Sequence, residues 1–204
     1  MYSLRISKAF DFATRRRGIS GFSNIGPRNL EDICKINLFE REDPKKCRQI
    51  WTDFHANKND AVGLVLDSPS CLAILKRARQ CPNFVHPFFT GSDNSHMVLF
   101  SQFQRNAFLY TTLEDFRSGR GTLCLSVTLF DDMLRTKGIG LLRADFLPTI
   151  SKKEATVLCA MLVESYSTNA TFGWVDEFNL SPKTFDYDAY LNWAANKFQN
   201  RFVS

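Results

Sequence analysis

Residues 97–111 read MVLFSQFQRNAFLYT and contain two short apolar runs. Each run, Met97 to Gln104 and Ala107 to Thr111, fits a β-strand, and the link between Gln104 and Ala107 is short enough for a hairpin. Similar runs lie on both sides of this segment, so the middle of the chain predicts an antiparallel sheet. These further strands are Phe84 to Phe89, Thr122 to Phe130 and Ile139 to Asp145.

Helical signals precede this sheet. Asp43 is a suitable N-cap with Pro44 at the first helical position, and the helix should run to about His55. Ala61 to Leu66 then reads as a buried strand, and Ser68 with Pro69 opens a second helix. We expect the inward side chains of these two helices to be Ile50, Trp51 and Phe54, and Leu72, Leu75 and Ala78.

Helical signals also follow the sheet. A short helix is predicted around Asp131 to Arg135. Ser151 and Glu154 form a capping box before an apolar stripe, and a last helix is predicted from Tyr187 to Phe202. The predicted fold class is therefore α+β, a mainly antiparallel β-sheet flanked by N- and C-terminal helices.

The first part of the chain holds all of the excess positive charge. The formal net charge is +5, and residues 1–28 carry six basic residues against one acidic residue, so the remainder is neutral. A neutral folded part lacks the concentrated charge that phosphate neutralisation requires, which argues against nucleic-acid binding.

The N-terminal segment has the composition of a mitochondrial presequence. Tyr2, Ile6, Ala9, Phe10 and Ala13 share one face of a predicted helix, and basic residues lie elsewhere on it. An arginine run follows, and then a Gly- and Ser-containing stretch. We therefore predict a presequence and linker over residues 1–27 and a single α+β domain over residues 28–204, with no membrane span.

The residue types used in catalysis form no clear site. His55, His86 and His96 are predicted at an exposed helix end, within a strand and beside a loop. Cys81 and His86 could be imagined as a nucleophile and base, but no third group orients them. The six cysteines lack the spacing of zinc sites and should be free thiols.

Two carboxylate pairs have residue types that could form acid–base or metal sites. Asp131 and Asp132 precede one predicted helix, and Asp186 and Asp188 precede another, where acids cap the helix and favour its dipole. We therefore predict no catalytic residue, no metal and no cofactor.

Apolar residues occupy both faces of the predicted hairpin. One reading is a sheet covered on both sides by helices. The other is that one face or edge stays open and holds an aggregation-prone partner. The residues that would contribute to such a surface are Val98, Phe100, Phe108 and Tyr110.

Short motifs in a specific order carry a family resemblance over nearly all of the chain after residue 28. They are Leu30-Glu31-Asp32-Ile33, Ile50-Trp51, Phe54-His55, Cys81-Pro82-Asn83-Phe84-Val85-His86-Pro87, Gln102 followed by Phe108, Thr112 and Leu113, Lys137-Gly138-Ile139, Leu141-Leu142-Arg143, Glu154-Ala155, Phe178-Asn179, Pro182 and Phe185-Asp186. Their order resembles the mitochondrial assembly factor family whose members chaperone the β subunit of the ATP synthase catalytic head. The chain departs from the family at His86, where an apolar or aromatic residue is usual, and at Gly140, where a larger one is usual.

The resemblance implies a protein of the mitochondrial matrix that binds free β subunit, shields the surface later covered by the α subunit, and leaves when α arrives. It implies no catalysis, and we expect a monomer. Two alternatives remain open: a small matrix enzyme using Cys81 or the carboxylate pairs, and a structural subunit of a larger complex.

Overall fold

The computed structural model describes residues 25–90 and 95–203, so the predicted presequence helix lies outside the described residues. The strands are β1 (Ala61–Asp67), β2 (Asn83–Phe89), β3 (His96–Gln104), β4 (Ala107–Thr112), β5 (Leu125–Phe130) and β6 (Ile139–Phe146). The helices are α1 (Ile36–Phe39), α2 (Pro44–Ala56), α3 (Ser68–Gln80), α4 (Leu113–Ser118), α5 (Leu134–Lys137), α6 (Lys152–Ser167), α7 (Asn169–Leu180) and α8 (Tyr187–Val203), and a 3-10 turn spans Leu30–Asp32.

The strands form one six-stranded sheet in the order β1-β6-β5-β4-β3-β2. All neighbouring strands are antiparallel. Strands β2 to β6 follow one another as a meander, and β1 pairs beside β6, so β1 and β2 are the two edges. This arrangement confirms the predicted α+β class.

The hairpin predicted from residues 97–111 is present. Arg105 and Asn106 both adopt positive φ angles, 50° and 59°. Two consecutive left-handed residues produce the turn whose twist matches that of antiparallel strands. The turn sets a register in which Gln104 pairs with Ala107 and Phe103 with Phe108.

The helix starts follow the capping signals in the sequence. The Asp43 carboxylate accepts a hydrogen bond from the Lys46 amide (2.9 Å), and Ser151 with Glu154 forms the predicted capping box. Helix α3 begins at Ser68, as predicted, and the Asp67 carboxylate caps it by accepting from the Ser70 amide (2.7 Å).

The inner face of the sheet, which bears Phe84, Ser101 and Tyr110, is covered by the C-terminal helices. The Phe84 ring is at the centre of this core, 5.6 Å from Phe178 and 5.1 Å from Tyr190. Helix α3 also packs into this core through a stripe that differs from the prediction. Leu72 is 54% exposed, and the buried residues are Cys71, Ile74, Leu75 and Ala78.

Each C-terminal helix also sends one polar side chain to the β2 segment. The hydroxyl of Tyr166 in α6 donates to the Cys81 carbonyl (2.9 Å). Asn179 in α7 donates to the Asn83 carbonyl (2.6 Å), and the hydroxyl of Tyr190 in α8 donates to the Val85 carbonyl (3.0 Å). Three alternate carbonyls along one strand edge are therefore satisfied by three different helices.

The outer face bears Phe100 and Thr111 and is packed by helix α2 near β1 and by α4 near β3. Under α2, the Trp51 ring lies 6.0 Å from Phe130 and its Nε1 donates to the Leu142 carbonyl (3.2 Å).

His55, the last histidine of α2, is buried against this face, so the prediction of an exposed histidine is wrong. Its Nδ1 lies 2.8 Å from the Trp51 carbonyl, and its Nε2 lies 3.2 Å from Arg143, which also pairs with Asp145. A side chain at Gly63 would overlap the His55 ring. Because Gly63 has no side chain, α2 can lie this close to strand β1.

His86 is fully buried on the inner face. Its Nε2 lies 3.1 Å from the Ser101 hydroxyl and 3.5 Å from the Tyr110 hydroxyl, while its Nδ1 has no hydrogen-bond partner among the described residues. Burial lowers the pKa of His86 to about 3, because a charged imidazole would lose its hydration here. The residue is therefore neutral at physiological pH.

We predict that His86 makes the fold sensitive to acid. Between pH 6.5 and 3, His86 is protonated in the unfolded chain but neutral in the native protein. The free energy of unfolding therefore falls as the pH falls. The loss between pH 7 and pH 5 should be about 2 kcal/mol for this group. In urea unfolding, the free energy that His86→Phe loses between pH 7 and pH 5 should be smaller than the wild-type loss by that amount. The same change at partly buried His96 is the control for losing an imidazole. Equal losses in wild type and His86→Phe would contradict the assignment.

Gly140 is explained by its neighbour in α3. A Cβ at position 140 would overlap the side chain of Cys71, which is buried in the same core. This contact accounts for a glycine at a position where a larger residue is expected.

We predict that Gly140→Ala lowers the free energy of unfolding by about 1–3 kcal/mol through overpacking. In a Cys71→Ala background the same change should cost less, because the sulfur atom is gone. The measurement is a double-mutant cycle by urea unfolding. Strictly additive effects would show that residues 71 and 140 do not compete for space.

A candidate partner-binding groove

A groove opens where helix α4, helix α8 and the start of strand β3 meet. It consists of two cavities, of about 810 Å³ and about 280 Å³, which share Met97 and Thr112. The size suits the side chains of a protein segment as well as a small molecule.

One wall is helix α4, which the sequence analysis did not predict. The Asp115 amide donates to the Thr112 hydroxyl (3.1 Å) at its start, and Gly119 ends it with a φ of 74°. The helix is fixed to the sheet by Phe116, whose ring lies 4.2 Å from that of Phe100. The Thr112-x-x-Asp115 spacing is an N-cap signature that could have revealed this helix.

The other wall is the first turn of helix α8. The Asp186 carboxylate accepts from the Ala189 amide (3.0 Å), as its predicted capping role requires. The next residue, Tyr187, brings its hydroxyl 3.1 Å from the His96 Nε2 at the start of β3. This contact ties the C-terminal helix to the strand that forms the groove floor.

The floor of the groove is apolar and its rim is charged. Met97 is 46% exposed, although it lies within a strand. The other apolar lining residues are Val98, Leu113 and Leu191 in the larger cavity, and Phe88, Leu99, Leu123, Leu147 and Ile150 in the smaller one. Glu114, Arg117 and Asp188 line the larger cavity as charged groups. An apolar centre with a polar rim is the usual composition of a protein–protein contact.

The four predicted contact residues do not form one surface. Val98 lines the larger cavity, and Phe100 lies beneath α4 on the same outer face. Phe108 and Tyr110 lie on the inner face, because Tyr110 pairs with Ser101 and Phe108 with Phe103. Phe100, Phe108 and Tyr110 are each 0% exposed. Whether any of the four contacts a partner stays a prediction, but only Val98 reaches the groove.

Cys81 and His86 contact different residues and do not form the nucleophile and base pair considered above. The Cys81 thiol lies 3.7 Å from the Asp176 carboxylate, and burial together with this carboxylate raises the pKa of Cys81 to about 11. A thiol that stays protonated is a weak nucleophile. His86 contacts Ser101 and Tyr110 instead.

The carboxylates of Asp131 and Asp132 do not cap helix α5, because its N-cap is Met133 and no side chain caps it. All six cysteines are free thiols, as predicted. Within residues 25–90 and 95–203, no group of three or more His, Cys, Asp or Glu side chains could hold a metal ion. No helix in the same ranges has the length and apolar character needed to cross a bilayer.

Comparison with known proteins identifies relatives of the chain. The ATP11 protein family matches residues 14–190. The human protein named ATP synthase mitochondrial F1 complex assembly factor 1 is 26% identical over 174 residues, which cover 78% of this chain and 49% of the human protein. The chain thus spans about half the length of this curated relative. Because the family match covers most of its residues, the chain belongs to the ATP11 protein family.

Proposed function

We propose that this protein is an assembly factor of the mitochondrial F1 ATP synthase that binds the unassembled β subunit of the catalytic head. The observation that carries the proposal is the family match over residues 14–190, together with the name of the human relative. The groove around Met97 supplies a surface of the required kind, because it combines an exposed apolar floor with charged residues.

The proposed action is to shield β from aggregation and then hand it over to the α subunit. A subunit made apart from its neighbours exposes apolar interface, which promotes aggregation. A protein that is displaced by the proper neighbour must bind more weakly than the final assembly does. A small groove with a polar rim fits this requirement, since its affinity rests on a few side chains. The proposed activity is binding without catalysis, and it requires no nucleotide.

The groove gives the four predicted contact residues distinct proposed roles. Val98 contacts the partner directly, because it lines the larger cavity. Phe100 supports the groove from below through its contact with Phe116 of α4. Phe108 and Tyr110 contribute through the core that holds β3 and β4 in place.

The location and organisation of the chain follow from the same proposal. Residues 1–27 serve as a mitochondrial presequence and linker, and residues 28–204 act as one chaperone domain in the matrix. The protein works as a monomer.

Met97, at the centre of the groove, suits the proposed binding of a partner, because an unbranched methionine side chain adapts to irregular surfaces.

We predict that the full chain suppresses the aggregation of β but not of α. Denatured β and, separately, α are diluted into buffer with and without the protein, and light scattering is followed. Suppression for β alone, with release when α is added, is the expected result. Suppression for both subunits would indicate a general holdase, and no effect on either would contradict the proposal. Retention of β after α arrives would indicate a permanent structural subunit instead.

We predict that Met97→Asp weakens β binding about tenfold or more, because it places a charge on the apolar floor. Met97 is 46% exposed, so urea unfolding should show little change in stability. The matched control is Leu180→Asp, which alters an apolar residue that is 68% exposed on α7 and lies outside the groove. If both variants weaken binding equally, the groove is not the contact surface.

A further inference from the structure

The two edges of the sheet differ in how their outward-facing backbone groups are satisfied. At the start of β2 the Phe103 amide donates to the Pro82 carbonyl. In an antiparallel pair, alternate residues of a strand bond to the neighbouring strand and the residues between them face away. The outward-facing residues of β2 are therefore Asn83, Val85 and Pro87. In β1 the Phe146 amide bonds to the Asp60 carbonyl, so by the same alternation Ala61, Gly63 and Val65 point away from β6.

The β2 edge is closed to further strands. The side chain of Asn179 bonds to both the amide (3.2 Å) and the carbonyl (2.6 Å) of Asn83, as a neighbouring strand would do. The Tyr190 hydroxyl donates to the Val85 carbonyl, and Pro87 has no amide hydrogen to donate. These are the devices by which proteins prevent an edge from pairing with another chain.

The β1 edge has none of these devices at its centre. Among the described residues, nothing donates to or accepts from the outward backbone groups of Gly63 and Val65. Both residues keep partial solvent exposure, whereas Ala61 is buried. In the part of the chain that the structure describes, these two amides and two carbonyls therefore have the spacing of a strand edge that lacks its neighbouring strand.

The surroundings of this edge are apolar. Leu64 is partly exposed and packs against the core on the inner face of the sheet. Val65 is also partly exposed, and it packs together with Ile50 against the buried residues under α2 on the outer face. Phe54 is 40% exposed, and its ring lies 5.0 Å from the ring of His55, which covers Gly63. The side chains of an added strand would meet apolar neighbours on both faces.

The ends of the edge are acidic. Asp60 precedes β1, Asp67 is its last residue, and both are exposed. Near the Asp60 end, Lys58 lies over the Phe54 ring (4.9 Å), and the Lys152 ammonium donates to the carbonyls of residues 55, 56 and 58. At the other end, the hydrogen bonds from Ser70 and the charge of Arg48 lower the pKa of Asp67, which therefore stays ionised. A second copy paired antiparallel through β1 would bring Asp67 beside Asp60 of its mate, which like-charge repulsion disfavours. Basic residues at the ends of a bound strand would be favoured instead.

We propose that the β1 edge binds an extended segment of another protein by strand addition, with an apolar centre and basic residues at its ends. Backbone bonding at Gly63 and Val65 would supply pairing, and the flanking apolar residues would select the centre of the segment. This surface is separate from the groove, and the proposal does not rest on the protein's role in ATP synthase assembly.

The test uses a fluorescent peptide with alternating Val and Thr at its centre and two Arg residues at each end. Its binding to the full chain is followed by fluorescence anisotropy. Peptides with the same centre but glutamate ends, or with alternate amides N-methylated, are the matched ligands. We expect about tenfold weaker binding or more for both, because the first meets Asp60 and Asp67 and the second cannot complete the ladder.

Variants of one residue test the edge itself. Val65→Pro removes the outward amide as Pro87 does in β2, and should weaken binding about tenfold or more. Val65→Thr keeps both the amide and the branched shape and should bind as wild type does. Because proline could disturb folding, Val65→Lys is a second blocking variant, and circular dichroism checks each protein.

Several results would overturn the proposal. Undetectable binding, or equal binding by folded Val65→Pro, Val65→Lys and wild type, would exclude the β1 edge. Loss of binding in Met97→Asp but not in the Val65 variants would place the peptide in the groove. Sedimentation velocity that shows a dimer in wild type and a monomer in Val65→Lys would make a second copy the occupant.

Discussion

The fold depends on how the edge strand β2 is held by the C-terminal helices. Tyr166, Asn179 and Tyr190 bond to the carbonyls of Cys81, Asn83 and Val85 in succession. The rings of Tyr166 and Tyr190 also pack against the buried Phe84 ring. Asn179 is oriented by a second hydrogen bond, which it donates to the Val175 carbonyl of its own helix (2.8 Å). An edge carbonyl buried without a partner would cost about 1–3 kcal/mol, so three helices and one strand are coupled through the same bonds. The position of α8, and with it one wall of the groove, follows from this coupling.

Local signals in the sequence predicted much of the fold. Strand periodicity located the hairpin, and the N-caps Asp43 and Ser151 located helix starts, because these signals act within a few residues. Leu72 and His55 were assigned to the wrong environments for a common reason. Which side of a helix faces the core is decided by distant partners, here Gly140 for Cys71 and Gly63 for His55, and helical spacing alone leaves more than one stripe possible.

The candidate site was less predictable, because strand register determines it. Alternation within a strand says that Val98 and Phe100 share a face, and that Phe108 and Tyr110 share one. It does not say whether the two pairs share the same face, which depends on the turn at Arg105 and Asn106. A change of one residue in register would reverse the relation. The groove residues also come from β3, α4 and α8, which meet only in the folded chain.

The distribution of closed and open surfaces is consistent with the proposed binding and release of a partner. An open β-sheet edge is a hazard in an ordinary soluble protein, because it pairs with other chains. Here one edge is closed by an amide, a hydroxyl and a proline, while the other has no backbone partner at Gly63 and Val65 among residues 25–90 and 95–203. Only a short segment can pair there, since Ala61 is buried and Asp67 begins to cap α3. A ladder of about four hydrogen bonds, at about 0.5–1.5 kcal/mol each, gives modest affinity once ordering costs are included. Short length therefore makes such an edge useful for transient contact, because it limits both the strength of binding and the risk of irreversible sheet growth.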